Sequence, residues 1–393
     1  MMSEQKERVL IVHNYYQIPG GEDTVVANEK KLLEDHGHQV FLYTRHNGEL
    51  KEFSKLQKLL LPFSTIFNLK TYREVKQLIR KEKIDVVQVH NTLNLISPSV
   101  YYAAFHEKVP VIQTIHNFRL LCPGASFYRD GHICEDCVSK GLKCAVKHRC
   151  YRNSKAQTLA CVINTRIHRM LGTYRRVSYI CLTEFNQKKL LQLRQISKEN
   201  IFVKPNFVPA AEKILPYEQR EEQFVFAGRL DPLKGVDLLL KAWKTLDQES
   251  CRLVVCGTGP MEEWCRSYVK EHTLNNVELR GFVENREVKK IIGQSKALIL
   301  PTRWYEGFPM TMAEAFAAGT PVIASDLGNA GSLIEEGKNG YRFSVDSEED
   351  LCRAVRKIQT SFYGMEKEQI ERYSEESNYE QLRKIYETCC DHH

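Results

Sequence analysis

No stretch of this 393-residue chain approaches the about 18 consecutive apolar residues needed for a membrane-spanning helix. The apolar run Val9–Val12 is far too short for the core of a secretory signal, and no small-residue cleavage site follows it. A cytoplasmic location is therefore expected, where thirteen cysteines read as free thiols or metal ligands rather than disulfides. The glycine-rich turn at Gly20-Gly21 lacks GxGxxG spacing, which argues against a nicotinamide dinucleotide. There is no HExxH helix, and with it goes the commonest form of catalytic zinc. A net charge of +7 is modest and concentrated in a few stretches, so nucleic acid is not an expected partner.

What is present is enough core for two domains: 42% of the residues are hydrophobic and 27% charged. Strand-like runs alternate with helical patterns along the whole chain. In the first half these runs are Arg8–His13, Gln39–Thr44, Ile84–Val89, Val109–Ile115, Val177–Leu182 and Ile201–Val203. The second half restarts with Phe224–Ala227, Arg252–Val255, Val277–Leu279, Ala297–Leu300 and Pro321–Ala324. The pattern predicts two doubly wound α/β domains with parallel sheets. Residues 1–208 form the first, 209–222 a polar linker, 223–372 the second, and 373–393 a C-terminal helix. Tyr373 and Tyr379 are expected to pack rather than react, and Cys389 to His393 to fray.

The most informative stretch is Arg303–Ser325, RWYEGFPMTMAEAFAAGTPVIAS. It reads as strand end, loop, helix Met310–Ala317, then strand. Pro309 suits the first helical position, and Gly319 stops the helix. Ligands of open α/β sheets bind at such strand ends, and the helix amino end favours an anionic group. Glu306 and Glu314 would flank that crevice. On the same edge, Arg229 and Lys234 sit in GRLDPLKG and could pair with a diphosphate. In the first half, His90 and His116 both fall at strand carboxyl ends.

Two further stretches each have two readings. Lys51–Lys83 holds nine Lys or Arg against three Glu, interleaved with Leu56, Leu59, Leu60, Leu61, Phe63, Ile66 and Phe67. The ordinary reading is a solvated helix face with its Leu and Phe in the core, which is the expectation taken here. The other is peripheral contact with an anionic membrane. Residues 122–150 hold Cys122, Cys134, Cys137, Cys144 and Cys150, with glycines and charges that argue against packed helix or strand. The C-x-x-C at Cys134 and Cys137 could join a structural zinc site; redox chemistry and plain reduced thiols are the alternatives.

Together, EGFPMTMAEAFAAGTPVIAS and GRLDPLKG closely resemble the retaining glycosyltransferases of family 4, which have the GT-B fold. The resemblance extends to the Gly20-Gly21 turn, TIH at His116 and the GTGP turn at Gly257. It implies two Rossmann-like domains facing across a cleft, with a hexose moved from a nucleotide-diphosphate sugar, UDP favoured, to a glycan or lipid-linked acceptor. It implies that Arg229 and Lys234 hold the diphosphate, that Glu314 meets the ribose, and that Glu306 lies beside the sugar. Gly307, Phe308, Pro309 and Met310 would meet phosphates or sugar, with Gly257 nearby. Gly21 would approach the diphosphate from the other domain, and His116 would stand near the reacting carbon. No cofactor is required for such a reaction.

The block LCP…CEDC…RCYR also resembles a subgroup that builds surface polysaccharides. That likeness selects Cys122, Cys134, Cys137 and Cys150 as the zinc set and leaves Cys144 spare. Competing expectations are a nucleotide-sugar epimerase of the same fold, a glycan phosphorylase, for which no pyridoxal phosphate lysine motif is visible, and a catalytically silent, zinc-stabilised binding subunit.

Overall fold

The computed structural model describes residues 6–17, 20–209, 213–246 and 251–391. Two compact units divide the chain: one holds the residues up to Arg129, Cys134–Pro205 and those from Tyr379 onward, the other Asn206–Asn378 with Asp130–Ile133.

The first unit is built on six strands: β1 (Arg8–Tyr15), β2 (Gln39–His46), β3 (Val86–Asn91), β4 (Val111–Ile115), β5 (Ser178–Cys181) and β6 (Ile201–Val203). They lie in the order β2-β1-β3-β4-β5-β6, every pair parallel. Val9, Leu10, Ile11 and Val12 are successive and all buried. Such a run without alternation requires helices on both faces of the sheet. One of them is α1 (Gly21–Asp35); the unit also holds α2 (Lys55–Ile66) and α3 (Lys155–Met170), which pack on each other.

The second unit repeats the plan with β7 (Glu221–Ala227), β8 (Arg252–Cys256), β9 (Val277–Gly281), β10 (Ser295–Leu300), β11 (Val322–Ser325) and β12 (Gly340–Phe343). Their order is β9-β8-β7-β10-β11-β12, again parallel throughout. The two-residue period of a strand splits its core into two layers. Phe224, Phe226, Leu253, Val255 and Ile299 pack with Trp243 on one face. Val225, Val254, Leu298, Leu300 and Ala324 pack on the other with Met312 and Phe316 of α4 (Met310–Ala317). The doubly wound parallel architecture expected from the sequence is thus present in both units. β12 was not foreseen: it is four residues long and carries an exposed Arg342.

Several local expectations change. Pro309 caps α4 with extended backbone, φ −76° and ψ 99°, rather than occupying its first turn. Lacking an N–H, it contributes no amide to a ligand, which leaves that work to Phe308, Met310 and Thr311. β7 begins at Glu221, inside the expected linker, and Arg220 is buried, donating to the Ala318 carbonyl at 2.7 Å. Ala210 and the two residues after it lie outside the described residues. The cysteine block holds two short helices, Asp136–Ser139 and Lys143–His148, because Leu142, Ala145 and Cys137 find an apolar cluster with Val162.

The chain end is not frayed. The helix α5 (Glu375–Asp391) buries Leu382, Ile385, Tyr386 and Cys389 against Val9, Ile11 and Val86; His392 and His393 fall outside the described residues. Tyr373 and Tyr379 do pack, Tyr373 stacking on Phe316 and Tyr379 on His36. Leu56, Leu59, Leu60 and Phe63 of α2, expected in the core, are instead exposed, and Leu61 is half-buried.

Candidate functional site

In the second unit, the loop after β10 delivers Glu306 into a buried position. Three donors converge on its Oε1: Lys234 Nζ at 2.7 Å, Trp304 Nε1 at 2.9 Å and the Thr302 hydroxyl at 3.1 Å. The loop itself is pinned by Asn329 Nδ2, which donates to the Glu306 and Gly307 carbonyls at 2.5 and 2.6 Å. Arg303 clamps Asp237 with both guanidinium nitrogens, at 2.6 and 2.9 Å. With Oε1 saturated, no donor among the described residues reaches Oε2. That oxygen is open to a further donor.

Lys234 is positioned by its own loop. Asp231 caps the turn by accepting from the Leu233 and Lys234 amides at 3.0 and 3.2 Å. Arg229 behaves differently: its side chain is 69% exposed and touches Asp231 only at 3.4 Å, so its guanidinium is available.

Beside Arg229 opens a cavity of about 650 Å³, lined by Gly257, Thr258, Glu284, Asn285, Thr311 and Glu314 among others. Gly257 is needed there because its φ is +146° and a Cβ would fall 1.9 Å from the Gly228 carbonyl oxygen. Burial raises the Glu314 carboxyl above its usual range, an effect opposed by Lys289, whose Nζ is 3.7 Å away. Asn285 and Lys289 thus hold the largely buried Glu314 carboxyl at the cavity wall.

The first unit carries a buried polar chain. His90 Nδ1 and His116 Nε2 are 2.9 Å apart. His90 Nε2 lies 3.2 Å from Glu29 Oε2, at ion-pair distance but off the hydrogen-bond line. Lys204 Nζ donates to Glu29 Oε1 at 2.7 Å. Burial alone would raise the Glu29 carboxyl, but Lys204 first and then His90 outweigh it and hold the group well below its usual range. Glu29 thus anchors His90 from one side, while His116 stacks on its ring with centroids 5.2 Å apart. Burial, then His90, keep the His116 imidazole neutral by lowering its pKa far below the ordinary value. A cavity of about 80 Å³ adjoins it, lined by Asn91, Tyr101, Gln113, Asn117 and Asn164 with His90 and His116.

Gly20 precedes α1 in extended backbone, and nothing within 4 Å would meet a Cβ there, so the turn has open space in front of it. Behind it sits a cluster the sequence did not suggest. His13 Nε2 is 2.8 Å from Asp23 Oδ1, and Tyr16 donates to Glu22 at 2.9 Å. Burial lowers His13 to about 4. Burial also raises Glu22 to about 8, against the Tyr16 hydrogen bond. A carboxyl raised on folding keeps its proton longer in the folded state, so stability falls as pH rises from about 4.5 toward about 8. Glu22→Gln is expected to flatten that fall in melting temperature, and an unchanged pH profile would contradict it.

Three of the four cysteines of the expected zinc set lie close together. Cys122 and Cys150 approach each other beside Gly124, and Cys137 lies near both. Among the described residues, however, no group of three or more His, Cys, Asp or Glu side chains is arranged to hold a metal ion. Burial in the Leu142–Val162 cluster pushes the Cys137 thiol up to about 12, and the neighbouring sulfurs push the same way.

Sequence reasoning thus named Glu306, Lys234, Arg229, Gly257 and Glu314, and the structure brings Lys234 to Glu306 and gathers Arg229, Gly257 and Glu314 on one cavity. It missed Thr302, Trp304 and Asn329. The first two lie within four residues of Glu306 and were legible as polar neighbours in the same loop. Asn329 comes from the next strand-to-helix turn, which no local spacing reveals. Phe282, Val283 and Val288, which line the large cavity, were also missed.

Comparison with known proteins bears on the family and the fold. Residues 19–212 match the model of Glycosyltransferase Family 4, and residues 209–376 that of Glycosyl transferases group 1. An uncharacterised glycosyltransferase of Methanocaldococcus jannaschii, MJ1178, is 25% identical over 98% of this chain and 99% of its own length. The Escherichia coli UDP-Gal:alpha-D-GlcNAc-diphosphoundecaprenol alpha-1,3-galactosyltransferase is 22% identical over 91% of this chain and 89% of its own. The crystal structure of Anabaena HepE in complex with UDP superposes with a TM-score of 0.66 at 15% identity, over 97% of this chain and all of that one, a likeness of fold. The chain belongs to the GT-B glycosyltransferases, with a family 4 domain followed by a group 1 domain.

Proposed function

We propose that this enzyme transfers a hexose from a UDP-sugar to a saccharide carried on a lipid, with retention at the anomeric carbon, at the inner face of the cell membrane. The observation that carries the reading is the cavity on which Arg229, Gly257 and Glu314 meet, in the unit that also holds the Lys234–Glu306 pair. The E. coli relative is named for a UDP-sugar and a diphosphoundecaprenol acceptor, and HepE was crystallised with UDP; both support the choice of donor and acceptor class.

In this reading Glu314 accepts from the ribose hydroxyls, and Arg229 and Lys234 pair with the diphosphate. The Phe308, Met310 and Thr311 amides at the start of α4 add to that charge. Glu306 Oε2 accepts from a sugar hydroxyl and orients the ring. The glycosidic carbon–phosphate oxygen bond breaks, and the acceptor oxygen forms the new bond on the same face. The acceptor proton passes to the departing phosphate oxygen. His116, kept neutral, orients the acceptor hydroxyl in the first unit, where Gly21 supplies close backbone. Two cations and the helix amides balance the leaving charge, so no divalent cation is assigned a role.

Thermal shift against a panel of nucleotide sugars tests the donor. Saturation at 100 times Kd stabilises by about 2.7 kcal/mol, and a UDP-sugar is expected to raise the melting temperature more than its GDP counterpart. Arg229→Ala should abolish most of that shift without unfolding the protein, since the side chain is exposed. Transfer to a lipid-linked acceptor should persist in EDTA and give an axial linkage by NMR where the donor is axial. No transfer from any donor would reject the reading. Conversion of the donor with no acceptor present would favour the epimerase.

A further inference from the structure

Helix α2 is amphipathic in the wrong direction for a helix that only covers a sheet. Leu56, Leu59, Leu60 and Phe63 recur at the spacing of one helical face, yet they are 65%, 71%, 49% and 70% exposed. Only Thr65 of the helix is buried. The start of the helix is fixed by reciprocal hydrogen bonds: Gln57 N donates to the Ser54 hydroxyl at 3.3 Å, and Ser54 N to Gln57 Oε1 at 2.8 Å. The apolar stripe is therefore held in register.

α2 packs beside α3. On α3, Leu159, Ile163 and Met170 are also exposed, and they share a stripe with exposed Lys155 and Arg166. Lys51, Lys55 and Lys58 are exposed on or just before α2. None of these five cations makes an ion pair among the described residues. Glu52 is the one acid along Lys51–Ile66, and Lys155–Met170 contains none.

We infer that the exposed stripes of α2 and α3 form a docking face for an anionic lipid bilayer, the apolar side chains entering the boundary between head groups and acyl chains and the cations meeting lipid phosphates. Exposed Leu and Phe alone would also suit a second copy of this chain. The unpaired cations beside them favour the bilayer, because like-charged faces would have to meet in a symmetric dimer. The long Lys and Arg stems allow the charge to stay in the head-group layer while the helix settles lower. This face rests on the reading that the enzyme works at a membrane, but on neither the sugar nor the nucleotide.

Co-sedimentation of the full chain with vesicles of phosphatidylcholine, or of phosphatidylcholine and phosphatidylglycerol in equal parts, tests it without donor or acceptor. Binding is expected to the anionic vesicles, to weaken with salt, and to be much lower on phosphatidylcholine alone. Leu59→Gln with Phe63→Gln, and separately Lys55→Gln with Lys58→Gln, should each cut partitioning by at least about tenfold. All four residues are exposed, so an unchanged melting temperature confirms that both variants fold. Transfer to a water-soluble acceptor analogue should be unaffected, which separates failure of this face from failure of the transferase reading. Wild-type-like vesicle binding by both double variants would overturn the proposal. So would a dimer in sedimentation velocity that Leu59→Gln with Phe63→Gln dissociates.

Discussion

Glu306→Ala is expected to lower kcat/KM for glycosyl transfer by about 10²–10³, while affinity for free UDP stays within about threefold. The alanine removes the acceptor on which Lys234, Trp304 and Thr302 converge, and with it the oxygen proposed to orient the sugar. The sugar would then sample many orientations, and only a small fraction would present the anomeric carbon correctly. UDP lacks that sugar, so its binding reports mainly on Arg229 and Glu314. The cost in stability is expected to stay below about 2 kcal/mol, because Lys234 is one quarter exposed and water takes over part of its pairing. Glu306→Gln keeps an acceptor oxygen and should fall between alanine and wild type. Steady-state kinetics with saturating acceptor provide the measurement; a Glu306→Ala enzyme with ordinary turnover removes Glu306 from the site.

The largest effect on stability is expected at Lys204→Met. Lys204 and Glu29 are buried together at 2.7 Å, with side chains 0% and 1% exposed. Removing the ammonium leaves the Glu29 carboxylate buried without its main cation, a change that costs about 3–5 kcal/mol. At about 2–4 °C per kcal/mol for a chain of this class, the melting temperature should drop by about 6–20 °C. Glu29→Gln in the same background removes the stranded charge and should recover most of the loss. The pair also sets an acid limit. The Glu29 carboxyl is lowered on folding, so its contribution is complete above its unfolded value of 4.5 and disappears as pH falls through the folded value. Wild type should therefore lose more stability below pH 4.5 than the double variant, and equal acid profiles would refute the coupling.

Legibility in the sequence followed the range of the forces involved. β6 and the helix Met310–Ala317 match the expected spans because a continuous apolar run and a proline-to-glycine frame are local signals. β12 escaped because four residues with an exposed arginine carry no periodicity. The α2 side chains were misplaced for the opposite reason. Their spacing announced an apolar face truthfully, but spacing does not say whether protein or something else covers it. The C-x-x-C motif likewise announced two thiols near each other, while the burial that raises Cys137 depends on Leu142 and Val162 closing around it.

By itself the sequence determined the α/β class and the parallel repeat, and it singled out Arg229, Lys234, Glu306 and Glu314 as candidates on one sheet edge. These are matters of residue type at fixed spacing, which chain geometry carries unaided. The tertiary structure alone decided which oxygen of Glu306 is occupied and which is open, how Glu29 and Lys204, 175 residues apart, meet beside His90 and His116, and that the apolar face of α2 looks outward. Each depends on side chains that meet only after distant segments pack, where desolvation and charge pairing set what every group can do.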